Sequence, residues 1–200
     1  MYEWRKMTGE KRKEVVKLRR QCRVPLHSPP HYSVEGWNRY HLSAANYEHV
    51  PIIGKTPERM LSFSADLCAV FYKESHDLFA WCVLPNHWHA LIGTTDLKSV
   101  LKGIARLHGM HSFEWNGEDD TRGRQCWHCC ADRRIRSEAH FQAARNYIHH
   151  NPIKHGSAKK WTDWPYSSAS LFLEEAGREE MLRLWKEFPV LDMGEKWDNG

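Results

Sequence analysis

Two short stretches carry residue types that can do chemistry together. The first is His87-Trp88-His89. On a strand, residues i and i+2 point to one face, so both imidazoles project together and Trp88 goes to the other side. Two imidazoles at that spacing can grip one divalent cation. Pro85-Asn86 just before them reads as the hairpin turn that aims them. With 14 histidines in the chain, the same pattern also arises where two of them simply alternate on a half-exposed strand. The second stretch is Tyr147-Ile148-His149-His150-Asn151, near the end of a helical segment. Residues i and i+4 are neighbours on a helix surface, which brings the Tyr147 phenol and the Asn151 amide to one region. A tyrosine can attack a phosphodiester and hold the product as an ester. Its phenol, with a pKa of about 10, is a better leaving group than an aliphatic alcohol, so the link can be reversed onto another DNA end. A packing tyrosine with a polar tip is the plainer reading of this residue taken alone.

The elements that must position these residues follow from pattern. Tyr40 to Val50 reads as a first strand, Thr56 to Tyr72 as a helix with Thr56-Pro57 as its start, and Leu78–Leu84 and His87–Gly93 as a hairpin. Leu97 to Met110 reads as a second helix, Glu114 to Arg124 as a loop, Gln125 to Cys130 as a short strand, and Ser137 to Asn151 as the tyrosine helix. Trp161 to Ser168 reads as an irregular aromatic segment and Gly177 to Glu187 as a last helix. That order predicts a ferredoxin-like α+β sandwich, an antiparallel sheet with helices on one face. Residues 1–36 form a basic N-terminal extension, 37–156 a catalytic domain ending in the tyrosine helix, and 157–200 a C-terminal segment packed on the core.

Composition narrows the setting. The chain has 200 residues, 41% hydrophobic and 27% charged, with a formal net charge of +4. It holds no apolar stretch long enough to span a bilayer, and Met1 to Arg23 is too polar for a secretory signal. A cytoplasmic protein is expected, with its six scattered cysteines reduced. Basic groups cluster at Arg5–Arg23, at Arg122–Arg136 and at Lys154–Lys160. Basic residues beside aromatics suit a phosphate backbone and stacked bases, though each group also reads as a solvated helix face. Cys126-Trp127-His128-Cys129-Cys130 looks metal-like but lacks the distant second half a zinc site needs. His108 and His111 read as surface histidines, and His41 and His49 as scattered polar residues. Trp161, Trp164 and Tyr166 either stack bases or pin the C-terminal segment, the second reading being favoured.

The two chemical stretches, taken with a third, carry a family resemblance. PNHWHALI (85–92) resembles the histidine–hydrophobic–histidine signature of HUH single-strand DNA processing enzymes. Asp132 to Gly156, DRRIRSEAHFQAARNYIHHNPIKHG, is similar to the nucleophile helix of REP-associated tyrosine transposases, and DWPYSSA (163–169) to the segment that follows it. The resemblance spans roughly Tyr40 to Ser170. It implies His87 and His89 as metal ligands, Tyr147 as nucleophile, and Asn151 as third ligand, with His150 as the alternative. It further implies Mg²⁺ or Mn²⁺ rather than closed structural zinc, a 5′-phosphotyrosyl intermediate, and single-stranded DNA with a hairpin as partner. The N-terminal segment and the loop 114–124 are additions to the minimal enzyme. Arg12, Arg19, Arg20 and Arg23, with Arg133, Arg134, Lys154 and His155, are the expected DNA contacts. Monomers with a site in cis and dimers with the tyrosine supplied in trans are both open, as are loss of catalysis with hairpin binding retained, and attack by water instead of tyrosine.

Overall fold

The computed structural model describes residues 8–11, 13, 14, 17 and 35–190. The chain divides into a unit of residues 1–35 and a unit of residues 36–200. In the first, residues 9–11, 13, 14 and 17 are helical, within the stretch expected to form a basic helix. Arg12, Arg19, Arg20 and Arg23 lie outside the described residues.

The second unit is built on strands β1 (Asn38–Ala45), β2 (Asp77–Leu84), β3 (His87–Thr94) and β4 (Ala131–Arg134). They form one sheet in the order β2-β3-β1-β4, every pair antiparallel. Helix α1 (Pro57–Glu74) connects β1 to β2, and α2 (Leu97–Glu118) connects β3 to β4. Thr56 starts α1 by accepting the Arg59 N–H, and Asp96 starts α2 by accepting that of Ser99. This is the expected α+β sandwich. After β4 come α3 (Glu138–Lys154), α4 (Ala169–Ala176) and α5 (Arg178–Glu187).

Alternation in β3 divides the interior into two. Trp88, Ala90 and Ile92 face one way and pack with Phe63, Leu67 and Phe71 of α1 and with Val100 and Ile104 of α2. Leu91 faces the other way and joins Ala80, Cys82 and Leu84 of β2 against Phe141, Ala144, Tyr147 and Ile148 of α3. So α1 and α2 lie together on one face, while the tyrosine helix adds a layer on the opposite face, the one that carries His87 and His89.

Several elements depart from the sequence reading. Strand β1 ends at Ala45 rather than Val50, with Tyr47–His49 in a 3-10 turn, and α3 runs past Asn151 to Lys154 with Pro152 inside it. Helix α2 runs on to Glu118, because Trp115 and Asn116 are buried and hold the last turn down. The strand beside β1 is Ala131–Arg134 rather than 125–130, where only an isolated bridge joins Asn46 and Trp127. The residues after Ser168 form helix α4.

Two histidines, one of them His108, which the sequence reads as a surface residue, are interior groups. His108 accepts the Trp88 indole N–H at 3.1 Å and stacks on Trp127 with ring centres 3.8 Å apart. His149, on α3, is buried against the Ser168 hydroxyl at 3.0 Å. Burial lowers both, each from 6.5 to about 3, helped by His111 beside the first and Arg145 beside the second. A histidine whose folded pKa is depressed leaves the unfolded chain binding the extra proton. The stability it allows is therefore complete above about pH 6.5 and is lost as pH falls towards 3. With two such groups the loss approaches about 3 kcal/mol per pH unit. Urea unfolding between pH 7.5 and 4.5 should show a steadily falling midpoint; a flat midpoint over that interval would contradict the buried, neutral state of both rings.

Candidate active site

Strand β3 presents His87 and His89 to the α3 face, their ring centres 5.1 Å apart. Helix α3 is started by Ser137, whose hydroxyl accepts the His140 N–H at 3.1 Å. It lays Tyr147 beside this pair: the Tyr147 ring centre is 5.3 Å from that of His89 and 6.0 Å from that of His41. One turn later Asn151 brings its Oδ1 to 3.1 Å from His87 Nε2. The imidazole pair, the phenol and the amide therefore meet within one chain, and all four side chains are buried.

The remaining expected residues divide. Lys154 places its ammonium 5.2 Å from the centre of the Tyr147 ring, and the His155 ring lies 4.7 Å from that of His87. Arg133 stands opposite His41 across β1 and β4 and so shares the site's face, whereas Arg134 stands opposite Tyr40 and points to the α1/α2 side. His150, the alternative ligand, turns to the Trp185 ring at 5.4 Å, away from the pair.

The structure adds two residues to the site that the sequence reading left out. His41 was read as a scattered polar residue, yet it is 2% exposed and its Nε2 is 3.1 Å from His89 Nδ1. Asn86 was read only as part of the turn, yet its Oδ1 is 2.7 Å from His87 Nδ1. The clue to the first was available: Tyr40, Leu42 and Ala44 alternate as an apolar face, leaving His41 and Ser43 on the other.

The other candidates have structural roles. Cys126 donates to the Asn116 amide oxygen at 3.2 Å, and His128 accepts the Glu48 backbone N–H at 3.1 Å, so that segment is not gathered on one centre. The Trp164 indole donates to the Val83 carbonyl at 2.8 Å, and the Tyr166 carbonyl accepts the Val83 N–H at 2.8 Å, which fixes the C-terminal segment along β2.

Among the described residues no group of three or more His, Cys, Asp and Glu side chains could hold a metal ion. The donor set here is two imidazoles and an amide, and its chemistry fits a divalent cation. Asn86 Nδ2 donates to the His49 carbonyl at 3.0 Å, so its Oδ1 is the atom turned to His87 and must receive an Nδ1–H. His87 Nε2 then keeps its lone pair and faces a second acceptor, Asn151 Oδ1. Two acceptors 3.1 Å apart match adjacent ligands of an octahedral ion with bonds of about 2.1 Å, which span about 3 Å. Asn151 Nδ2 is buried without a hydrogen-bond partner, so turning the amide gives Nε2 a donor when no ion is bound.

No protein-family model matches the chain. A curated REP-associated tyrosine transposase of Escherichia coli (strain K12) is 28% identical over 100 residues, 46% of this chain and 53% of the relative, so the chain spans about half of that protein's length. A solved structure of a REP-associated tyrosine transposase bound to a REP hairpin superposes with a TM-score of 0.57 at 20% identity, covering 74% of this chain and 85% of that one. No helix among the described residues is long and apolar enough to cross a membrane. In fold this chain is a four-stranded α+β domain like that of the solved REP-associated tyrosine transposase, and over 100 residues its sequence is similar to the curated one.

Proposed function

We propose that the chain is a transposase-like endonuclease and strand transferase that acts on single-stranded DNA at hairpins in the cytoplasm, with Tyr147 as its nucleophile. The observation that carries the reading is the meeting, in one chain, of a phenol, two imidazoles and an amide oxygen on the sheet face that also bears Arg133. Similarity to a REP-associated tyrosine transposase, and the fold shared with one bound to a REP hairpin, support the choice of DNA and of a hairpin.

His87, His89 and Asn151 would hold Mg²⁺ or Mn²⁺, which when bound supplies Lewis-acid polarisation of the scissile phosphate. Tyr147 Oη forms the new bond to phosphorus as the bond from phosphorus to O3′ breaks. The phenol loses its proton, and O3′ takes the bond's electron pair and a proton, leaving a 3′ hydroxyl. The 5′ phosphate stays on the tyrosine, and attack by another 3′ hydroxyl reverses the step without a nucleotide cofactor. Lys154 and Arg133 supply positive charge for the strand's phosphates. His155 stands beside His87, where it would border the strand's path.

The test is incubation of the full chain with hairpin oligonucleotides carrying randomised single-stranded flanks, with Mn²⁺ or with EDTA, followed by a denaturing gel. A covalent protein–DNA band that EDTA removes is expected. A nick with a free 5′ phosphate and no band would mean that water attacks; tight hairpin binding with neither nick nor band across several divalent ions would mean a binding protein of the same fold.

A further inference from the structure

We infer that Asn86 and His41 are positioning residues that set the tautomers of the two strand imidazoles, each through the Nδ1 of its partner, so that both Nε2 lone pairs are kept for a cation. The inference rests on the metal-site reading above and assigns two residues to that site. A neutral imidazole has one donor nitrogen and one acceptor, and the hydrogen bond at one nitrogen decides the state of the other. For His87 the decision falls to Asn86, whose amide is oriented by the His49 carbonyl at 3.0 Å and presents Oδ1 at 2.7 Å.

The seat of Asn86 is rigid. Its carbonyl accepts the Asn46 N–H at 2.7 Å, and the Pro85 carbonyl accepts the Gly54 N–H at 2.8 Å. A Cβ on Gly54 would stand 2.3 Å from Pro85 Cβ, so only glycine lets this loop lie against the turn. Asn46 is fully buried and donates to the Cys126 carbonyl at 3.1 Å while accepting the Ile53 N–H at 3.2 Å. Glu48 and His49 both adopt left-handed backbone angles, φ 54° and 55°. Such angles persist in non-glycine residues only where the surroundings over-determine them. Here they turn the His49 carbonyl towards Asn86.

For His89 the partner is His41. It lies on the central strand β1, two places along from Ser43, the residue that stands opposite His89, and so it is the diagonal neighbour on the same face. Its Nε2 lies 3.1 Å from His89 Nδ1; in the inferred arrangement it accepts the His89 Nδ1–H, which leaves His89 Nε2 as the ligand atom. Groups of this kind beyond the ligands typically change metal affinity 10- to 100-fold when removed.

Long-range ¹H–¹⁵N correlation of the histidine side chains reads tautomers directly in the metal-free full chain. Both His87 and His89 should be in the Nδ1–H form in the wild type. Asn86→Ala should shift His87, and His41→Phe should shift His89, towards the Nε2–H form, each with Mn²⁺ affinity, read from the free-ion EPR signal, weakened by about 10- to 100-fold. His41→Gln, which restores an acceptor, should recover the His89 tautomer and most of the affinity. An Nε2–H form of either ring in the wild type, or unchanged tautomers in both disrupting variants, overturns the inference. Should His41→Phe fail to fold, the wild-type spectrum and His41→Gln still decide it. Nδ1–H tautomers in a protein that takes up no Mn²⁺ would instead count against the metal site, leaving the assignment of Asn86 and His41 intact.

Discussion

Tyr147→Phe is expected to abolish the covalent protein–DNA adduct, at least about a thousandfold below wild type, while hairpin binding stays within about twofold. The change removes one oxygen and leaves the ring. That ring is 1% exposed, packed beside His89 and His41 on the sheet side and joined to Phe141, Ala144 and Ile148 in the second core. Phenylalanine fills the same space, so fold and metal ligands survive and the loss reports on the nucleophile alone. Adduct yield and hairpin affinity are read on the same preparation, with circular dichroism as the check on folding. Undiminished adduct would remove Tyr147 from the mechanism. Undiminished nicking with a free 5′ phosphate in both proteins would hand the attack to water.

Trp88→Ala, one residue from each imidazole, is expected to have the largest effect on stability, about 3–5 kcal/mol. The indole is completely buried on the α1/α2 side of β3, packed edge-on to Phe71 with ring centres 5.9 Å apart. Truncation opens a cavity in the middle of the larger core and takes the donor from His108, whose Nε2 accepts the indole N–H. At about 2–4 °C per kcal/mol for a chain of this size, the melting temperature should fall by roughly 6–20 °C. Thermal unfolding by circular dichroism measures it. A fall under about 3 °C would mean that the core closes over the gap and that Trp88 is not the strand's anchor.

Where pattern and environment agreed, the sequence was informative. The β2–β3 hairpin and the tyrosine helix were legible because apolar periodicity, a Pro-Asn turn and a serine cap all pointed the same way. Helix α2 was cut short in the reading because Asn116, Gly117 and Glu118 look like loop residues; burial of Trp115 and Asn116 overrides their low propensity. Strand β4 was misplaced because Ala131-Asp132-Arg133-Arg134 has no strand character of its own. It is an edge strand selected by pairing with β1. Asn86 carried no spacing signal, and the alternation that puts His41 on the site's face does not say what the register sets beside it. Helical spacing put Asn151 beside Tyr147, and the resemblance put it at the imidazoles, but which of Asn151 and His150 faces His87 needed the helix's rotation about its own axis. That rotation is set by Phe141, Ala144 and Ile148 packing on the sheet.

Every residue of β3 is buried, and successive residues serve different masters: one side of the ribbon fills a greasy interior, the other carries the ligands. A side-chain repeat of two makes this division brittle. Adding or deleting a single residue in the Pro85-Asn86 turn would trade the indole for an imidazole along the whole ribbon, driving polar rings into the larger core and a bulky apolar one against the phenol. Turn length, more than the identity of any one side chain, is thus the quantity that mutation can least alter here, and natural variants of this protein should tolerate substitutions along the hairpin far better than insertions or deletions within it.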